Sequence, residues 1–324
     1  MNNIKKFTYN YIKSMRLYYA FTTGISGWLG VAFYQFLYPD RIDVYRLTII
    51  LIILFLSWGI NQIINDYLGL KEDRINAPKR PMVSGALKIK PAMILTGILL
   101  SISIVVSFYL NPYAVIPVIA GILLNVFYEY SKAYSLLANL VFGLMIAMCP
   151  LFGFLASGPI PEPLITSNRI SVFVLVVILN GLMTYYTYFK DYKGDKEAGK
   201  RTFVVKYGIR AARYAGVAGA FLTVFALLTI IFMNWLPIKD ILYKQEFIFC
   251  AVVTFFLQCW TAYLYFTYPK GERTYFSLVT NIRACSAGHC ALIAIFNGQL
   301  ALYLLVASYI LIGFLFNFYK DARS

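Results

Sequence analysis

The chain has 324 residues, of which 60% are hydrophobic and only 13% charged. A soluble domain of this size carries about twice that charged fraction, so with a mean hydropathy of +0.69 the solvent expected for most of the chain is lipid. The net charge of +15 would suit nucleic acid, but its distribution points to membrane topology and no nucleic-acid partner is expected.

Residues 1–16 are basic and polar. The apolar run that follows is too long for a signal-peptide core and lacks a small-residue cleavage site after it, so it is expected to stay as a first span. Runs approaching the roughly 20 residues that cross a bilayer lie near 17–38, 46–64, 92–110, 113–128, 135–157, 170–188, 211–235, 247–268, 276–296 and 299–319. The count is nine or ten, because Asn281, Arg283 and His289 in 276–296 also suit a half-buried or surface helix. The fold class expected is all-α: a multi-pass transmembrane helical bundle made of two pseudo-repeated four-helix units plus C-terminal helices. It forms one integral-membrane domain over 1–324. Asn111-Pro112 and Gly158-Pro159-Ile160-Pro161 read as tight turns.

With the amino terminus in the cytoplasm and spans alternating, the cytoplasmic side holds Lys5, Lys6, Lys13, Arg16, the cluster from Lys71 to Lys90, Lys132 and the cluster from Lys190 to Arg213. The opposite loops hold only Arg41, Arg46, Arg169, Lys239 and Lys244. That asymmetry fits the positive-inside rule and puts the amino terminus and both acidic segments described next on the cytoplasmic side.

Two acidic segments close the second and sixth runs: Asn65-Asp66-Tyr67-Leu68-Gly69-Leu70-Lys71-Glu72-Asp73 and Asp191-Tyr192-Lys193-Gly194-Asp195. Helical residues four apart share a face, so Asn65, Gly69 and Asp73 form one stripe and Asp191 and Asp195 another. Carboxylates are costly at the ends of membrane helices and need partners. Magnesium takes oxygen ligands, commonly one or two carboxylates plus substrate phosphates. Asp66, Glu72 and Asp73 facing Asp191 and Asp195 can supply two such sites; the plainer alternative is interfacial charge capping two helix ends. Of the nearby basic residues, Arg80, Lys132, Lys200 and Arg201 are singled out as able to stabilise the charge on a leaving diphosphate. Tyr128 and Lys132, four apart, share a face between the two acidic segments.

Tyr185, Tyr186 and Tyr188, just before Asp191, are the aromatic residues best placed to steady a carbocation by cation–π attraction. The five cysteines lie in apolar segments without zinc-type spacing and read as small core residues. His289, the only histidine, reads as a packed helix residue.

Together these segments resemble the UbiA superfamily of intramembrane prenyltransferases. Asn65-Asp66 through Asp73, with Arg80-Pro81-Met82-Val83-Ser84-Gly85, is similar to its first motif and RPxxSG tail. Tyr128-xxx-Lys132 is similar to its YxxxK element, and Asp191-xxx-Asp195 with Gly199-Lys200-Arg201-Thr202 to its second acidic motif. The resemblance implies a helical bundle that ionises an isoprenoid diphosphate with Mg2+. It makes Asn65, Asp66, Asp73, Asp191 and Asp195 catalytic, and those five with Glu72 the metal ligands. Arg80, Tyr128, Lys132, Lys200 and Arg201 become the diphosphate-binding set.

The sequence departs from the family at Gly69, where its prenyltransferases carry the middle aspartate of NDxxDxxxD; Asp66 or Glu72 would then substitute. Asn65-xxx-Gly69-xxx-Asp73 resembles the NxxxGxxxD variant of UbiA-type terpene cyclases. By that analogy the leading reading is a Mg2+-dependent cyclase of a C15–C20 prenyl diphosphate. The alternative is transfer of the prenyl group to an aromatic or lipid acceptor. A transporter is disfavoured, because carriers place charge near the bilayer midplane and here it sits at span ends.

Overall fold

The computed structural model describes residues 3–39, 43–160, 163–236 and 244–319; the predicted loop residues Arg41 and Lys239, and Pro161 of the second turn, lie outside them. The regular structure among the described residues is all helical, with no strand. Its α-helices are α1 (Asn3–Met15), α2 (Ala20–Leu37), α3 (Val44–Leu68), α4 (Leu70–Asn76), α5 (Ile89–Leu110), α6 (Val115–Ser131), α7 (Leu137–Ser157), α8 (Ser167–Glu197), α9 (Phe203–Phe232), α10 (Gln245–Thr267), α11 (Arg273–Phe296) and α12 (Gly298–Phe318). Among the described residues, nine helices are long and apolar enough to cross a membrane: α3 and α5 to α12.

The predicted first span, α2, is absent from those nine for a packing reason. Thr22, Thr23, Gly24, Ser26, Gly27 and Gly30 all lie on it and are buried. A methyl group at Gly30 would overlap the Pro150 carbonyl of α7, and one at Gly153 of α7 would overlap the Gly27 carbonyl. Small residues are therefore what α2 needs, since helices inside a membrane associate by close backbone approach rather than by expelling water. Lipid meets other helices, such as α5, whose outer face exposes Ile94, Ile98, Ile102 and Val105.

The surface-helix option for 276–296 is overturned. Helix α11 is buried along nearly its whole length and packs against α2, α8, α10 and α12. Its polar residues bond to these neighbours: Asn281 Nδ2 donates to the Met183 carbonyl at 2.7 Å, and Arg283 Nε to the Tyr309 carbonyl at 2.9 Å. His289 is fully buried, with its Nε2 3.0 Å from Asn180 Nδ2, a packed helix residue as expected. The cysteines are free.

Before the bundle, α1 is held to α5 by the bond between the Tyr11 hydroxyl and Thr96 Oγ1, 2.8 Å. Arg16 follows in the left-handed region, at φ 48°. That turn is unusual for a non-glycine residue, and it directs the Arg16 side chain towards the end of α3.

Candidate active site

The acidic stripe at the end of α3 survives its glycine. Gly69 N–H donates to the Asn65 carbonyl at 2.8 Å and Asp73 N–H to the Gly69 carbonyl at 3.0 Å, so the four-residue register runs unbroken from α3 into α4. Helix α4 then lies on α8. Asn76 Nδ2 donates to the Asp191 carbonyl at 3.0 Å, and Gly194 N–H donates to Asn76 Oδ1 at 2.8 Å. A Cβ at Gly194 would run into the Asn76 amide, so a larger residue there has to displace that side chain. Through that contact the two acidic segments, more than a hundred residues apart in sequence, come to line one cavity of about 100 Å3.

A third segment closes the wall. Arg201 N–H donates to the Lys132 carbonyl and Ser135 N–H to the Arg201 carbonyl, both at 3.0 Å, while Lys200 N–H donates to the Asp195 carbonyl at 2.8 Å. Lys132 stands 5.1 Å from the centre of the Tyr128 ring, so the predicted pair shares one face. The Tyr188 hydroxyl reaches the Tyr128 hydroxyl at 3.2 Å.

Asn65, Asp66, Glu72, Asp73, Arg80, Tyr128, Lys132, Asp191 and Asp195 all line the cavity. Lys200 stands behind the lining, 2.9 Å from Glu129 and 3.1 Å from Glu72. Arg201 is not brought into the lining: its side chain is exposed, while its backbone pairing holds the Lys132 turn. Tyr185 and Tyr186 are not brought there either. Their hydroxyls donate to the carbonyls of Ala212 (2.8 Å) and Gly216 (2.6 Å) on α9, and the rings facing the cavity are Tyr19, Trp58, Tyr128 and Phe142.

Residues that sequence reasoning missed complete the charge pattern. Arg16 pairs with Asp66 and Arg80 with Asp73; Gln62 Nε2 donates to Asp66 at 3.0 Å. Lys190 donates to Asp191 at 2.6 Å and Lys132 to Glu129 at 2.8 Å. Glu129 was visible as the acid inside Tyr128-xxx-Lys132, and Lys190 as the base preceding Asp191. Burial and the adjacent Glu129 carboxylate raise the pKa of Glu72. For Lys200, burial lowers the pKa but Glu129 and Glu72 more than offset it, so the ammonium is held charged. Arg80 is likewise held charged by Asp73 and Asp66 against its burial.

The cavity wall carries six carboxylates against four basic side chains, a formal charge of −2 when all are ionised. Asn65 Oδ1, Asp66 Oδ2 and Asp195 Oδ2 are buried there with no hydrogen-bond partner. Buried acceptors without donors are costly, and acceptor-only oxygens around an anionic cavity suit a hard cation. No group of three His, Cys, Asp or Glu among the described residues is close enough to hold a metal alone.

An apolar tunnel adjoins the cavity, with Trp58, Gln62 and Asn65 in the lining of both. The tunnel runs between α2, α3, α5, α6 and α7, with a volume of about 90 Å3, and reaches Ile53 on α3 and Phe152 on α7.

The pattern that defines the UbiA prenyltransferase family matches residues 20–278. Among curated proteins, the chain is 26% identical over 208 residues to digeranylgeranylglyceryl phosphate synthase of Methanocaldococcus jannaschii, spanning 63% of this chain and 70% of that one. It is 29% identical over 194 residues to the synthase of the same name from Thermococcus sibiricus, where the alignment takes in 59% of this chain but only 64% of the relative. Its fold is similar to that of a UbiA homologue from Archaeoglobus fulgidus solved with GPP and Mg2+ bound. The TM-score is 0.61 and the identity 15%, over 87% of this chain and 99% of that one. Of the two sequence readings, these relatives favour transfer to an acceptor over cyclisation. The family match runs from the start of α2 into α11, and with the apolar helices it makes this an integral, multi-pass membrane protein. The chain belongs to the UbiA prenyltransferase family.

Proposed function

We propose that this protein transfers a prenyl group of about geranylgeranyl length from its diphosphate to a hydroxyl of a prenylated glyceryl phosphate. The reading takes over the named product of its relatives, and one observation carries it: an anionic cavity with unpartnered acceptor oxygens shares a wall, Trp58, Gln62 and Asn65, with an apolar tunnel. Diphosphate and hydrocarbon chain thus have adjoining compartments. From Asn65 to Ile53 the tunnel lining follows α3 for twelve residues, roughly 18 Å at the rise of an α-helix, the length of about four isoprene units; a chain of that size has to widen the space of about 90 Å3 as it enters. The basic clusters gather at the cavity end, so that end faces the cytoplasm by the positive-inside rule.

Asn65, Asp66, Asp73, Asp191 and Asp195 would hold magnesium, with Glu72 beside them. When bound, the metal neutralises the diphosphate and makes it a better leaving group. Arg16, Arg80, Lys132 and Lys190 line the same space and stabilise the negative charge that grows on the departing oxygen. Tyr19, Trp58, Tyr128 and Phe142 line the same cavity and would keep water from C1 and steady its positive charge. The C1–O bond breaks with its electron pair going to diphosphate. The acceptor oxygen then bonds to C1 and gives its proton to the departing diphosphate.

Gly69 does not open room that would favour the cyclase reading: a Cβ there would lie 3.1 Å from the Asn65 carbonyl oxygen, a crowded contact, and 4.0 Å from Asp73 Oδ2. Its missing carboxylate is accommodated within a wall that is still net anionic, so transfer does not require it. Purified protein given geranylgeranyl diphosphate and Mg2+ is expected to form product only when geranylgeranylglyceryl phosphate is added. Release of a cyclic hydrocarbon or alcohol without acceptor would overturn this reading in favour of the cyclase.

A further inference from the structure

A second apolar space lies behind Met183, across from the polar cavity and away from the tunnel. Met183, in the cavity wall, also lines a small void of about 10 Å3 with Asn281 and Cys285 of α11. That void shares Leu179 and Gln258 with a larger space of about 310 Å3 between α8, α9, α10 and α11. Leu228, Ile248 and Val252 border the larger space and are 53%, 43% and 61% exposed, so it opens through the α9–α10 face where lipid lies. Along α10 the passage runs from Thr261 to Phe247, fourteen residues or roughly 21 Å.

The floor offers little to a polar ligand. Gln258 Oε1 already accepts from Thr223 Oγ1 at 2.6 Å, Thr254 Oγ1 donates to the Cys250 carbonyl at 2.7 Å, and Asn281 donates to the Met183 carbonyl. What remains is aliphatic and aromatic surface suited to a hydrocarbon chain. The narrow point is formed by Met183, Leu179 and Leu182 with the Gln258 side chain. Methionine is unbranched and adapts its rotamer to what lies beside it, so Met183 can yield without moving backbone.

We infer that this passage holds the hydrocarbon chain of the acceptor lipid, entering from the bilayer between α9 and α10 and leading its glyceryl hydroxyl to C1 from the side opposite the donor's tunnel. The inference rests on the acceptor being a lipid, as proposed above. The donor's chain belongs in the first tunnel, which meets the cavity through three shared residues, including Asn65 of the acidic stripe. A second chain then needs its own apolar path to the same cavity, and of the other spaces described the one between α8 and α11 is separated from it by Met183 and a void of about 10 Å3, so the path opens when Met183 swings aside.

The test uses the full chain in liposomes with an acceptor analogue, a prenylglyceryl phosphate carrying a diazirine at the end of its chain. Photolabelling is expected on α9 and α10, at Leu228 and Val252, competed by unlabelled acceptor and not by excess phospholipid. Labelling confined to α3, α5 and α6, or labelling of α9 and α10 that phospholipid competes equally, overturns the inference. In parallel, Ala251→Phe fills the passage from its half-exposed border. It is expected to raise the KM for acceptor about tenfold while leaving the KM for the prenyl diphosphate unchanged. An unchanged acceptor KM overturns the inference too. Labelling needs no turnover, so a failure of the transfer reading itself, seen as no acceptor-dependent product from the native protein, is distinguishable from failure of the passage.

Discussion

Replacing Asp73 by asparagine is expected to lower the rate of acceptor-dependent prenyl transfer by about 10²–10³-fold, the scale on which removal of one well-placed electrostatic group acts. Asp73 is buried, lies in the cavity wall and is paired with Arg80. Its neutral amide keeps the shape but withdraws a charge from the metal-binding set. It also leaves Arg80 without its nearest partner, so that the guanidinium turns to Asp66, from which its Nη1 now stands 3.9 Å. The loss should appear in kcat together with a higher Mg2+ concentration for half-maximal rate. Activity within tenfold of the native protein at saturating Mg2+ would remove Asp73 from the metal set.

Gly194→Val is expected to cost nearly as much, about 10²-fold, without touching a charged group. The valine side chain would occupy the position of the Asn76 amide, breaking both bonds between α4 and α8 and separating Asp73 from Asp191. Misplacement of reacting groups by about 1 Å costs rate on that scale. Gly194→Ala should fall between native and valine, since the smaller group also meets Asn76. Steady-state kinetics on the three proteins, with thermal unfolding in detergent to confirm that each is folded, checks the order. A folded valine variant of native activity would show that the α4–α8 contact does not set the site.

How much of this could be read from the chain follows from the range over which each feature acts. The stripes Asn65–Gly69–Asp73 and Asp191–Asp195 were legible because a helix fixes which residues share a face, and the structure keeps that register through Gly69. The spans were legible from hydropathy, except that α2 is chosen for small residues against α7 and so falls below a lipid-facing standard. Helix α11 carries polar residues that suggested a surface, but their partners, Met183, Tyr309 and Asn180, belong to other helices. Contacts across the bundle were what the sequence withheld. Arg16 reaches Asp66 across fifty residues, and Asn76 joins α8 across more than a hundred. Arg201 and Tyr185 sit next to functional residues in sequence, yet the helix rotation and the loop path turn them elsewhere.

The most direct measurement is calorimetric titration of geranylgeranyl diphosphate into the purified protein, with and without Mg2+. A cavity whose six carboxylates outnumber its four basic groups, and whose basic side chains are already paired with acids, repels a bare diphosphate. The expected result is micromolar binding with Mg2+ and at least a hundredfold weaker binding in EDTA. Equal affinity in EDTA would contradict the central claim that the two acidic helix ends hold the diphosphate through magnesium.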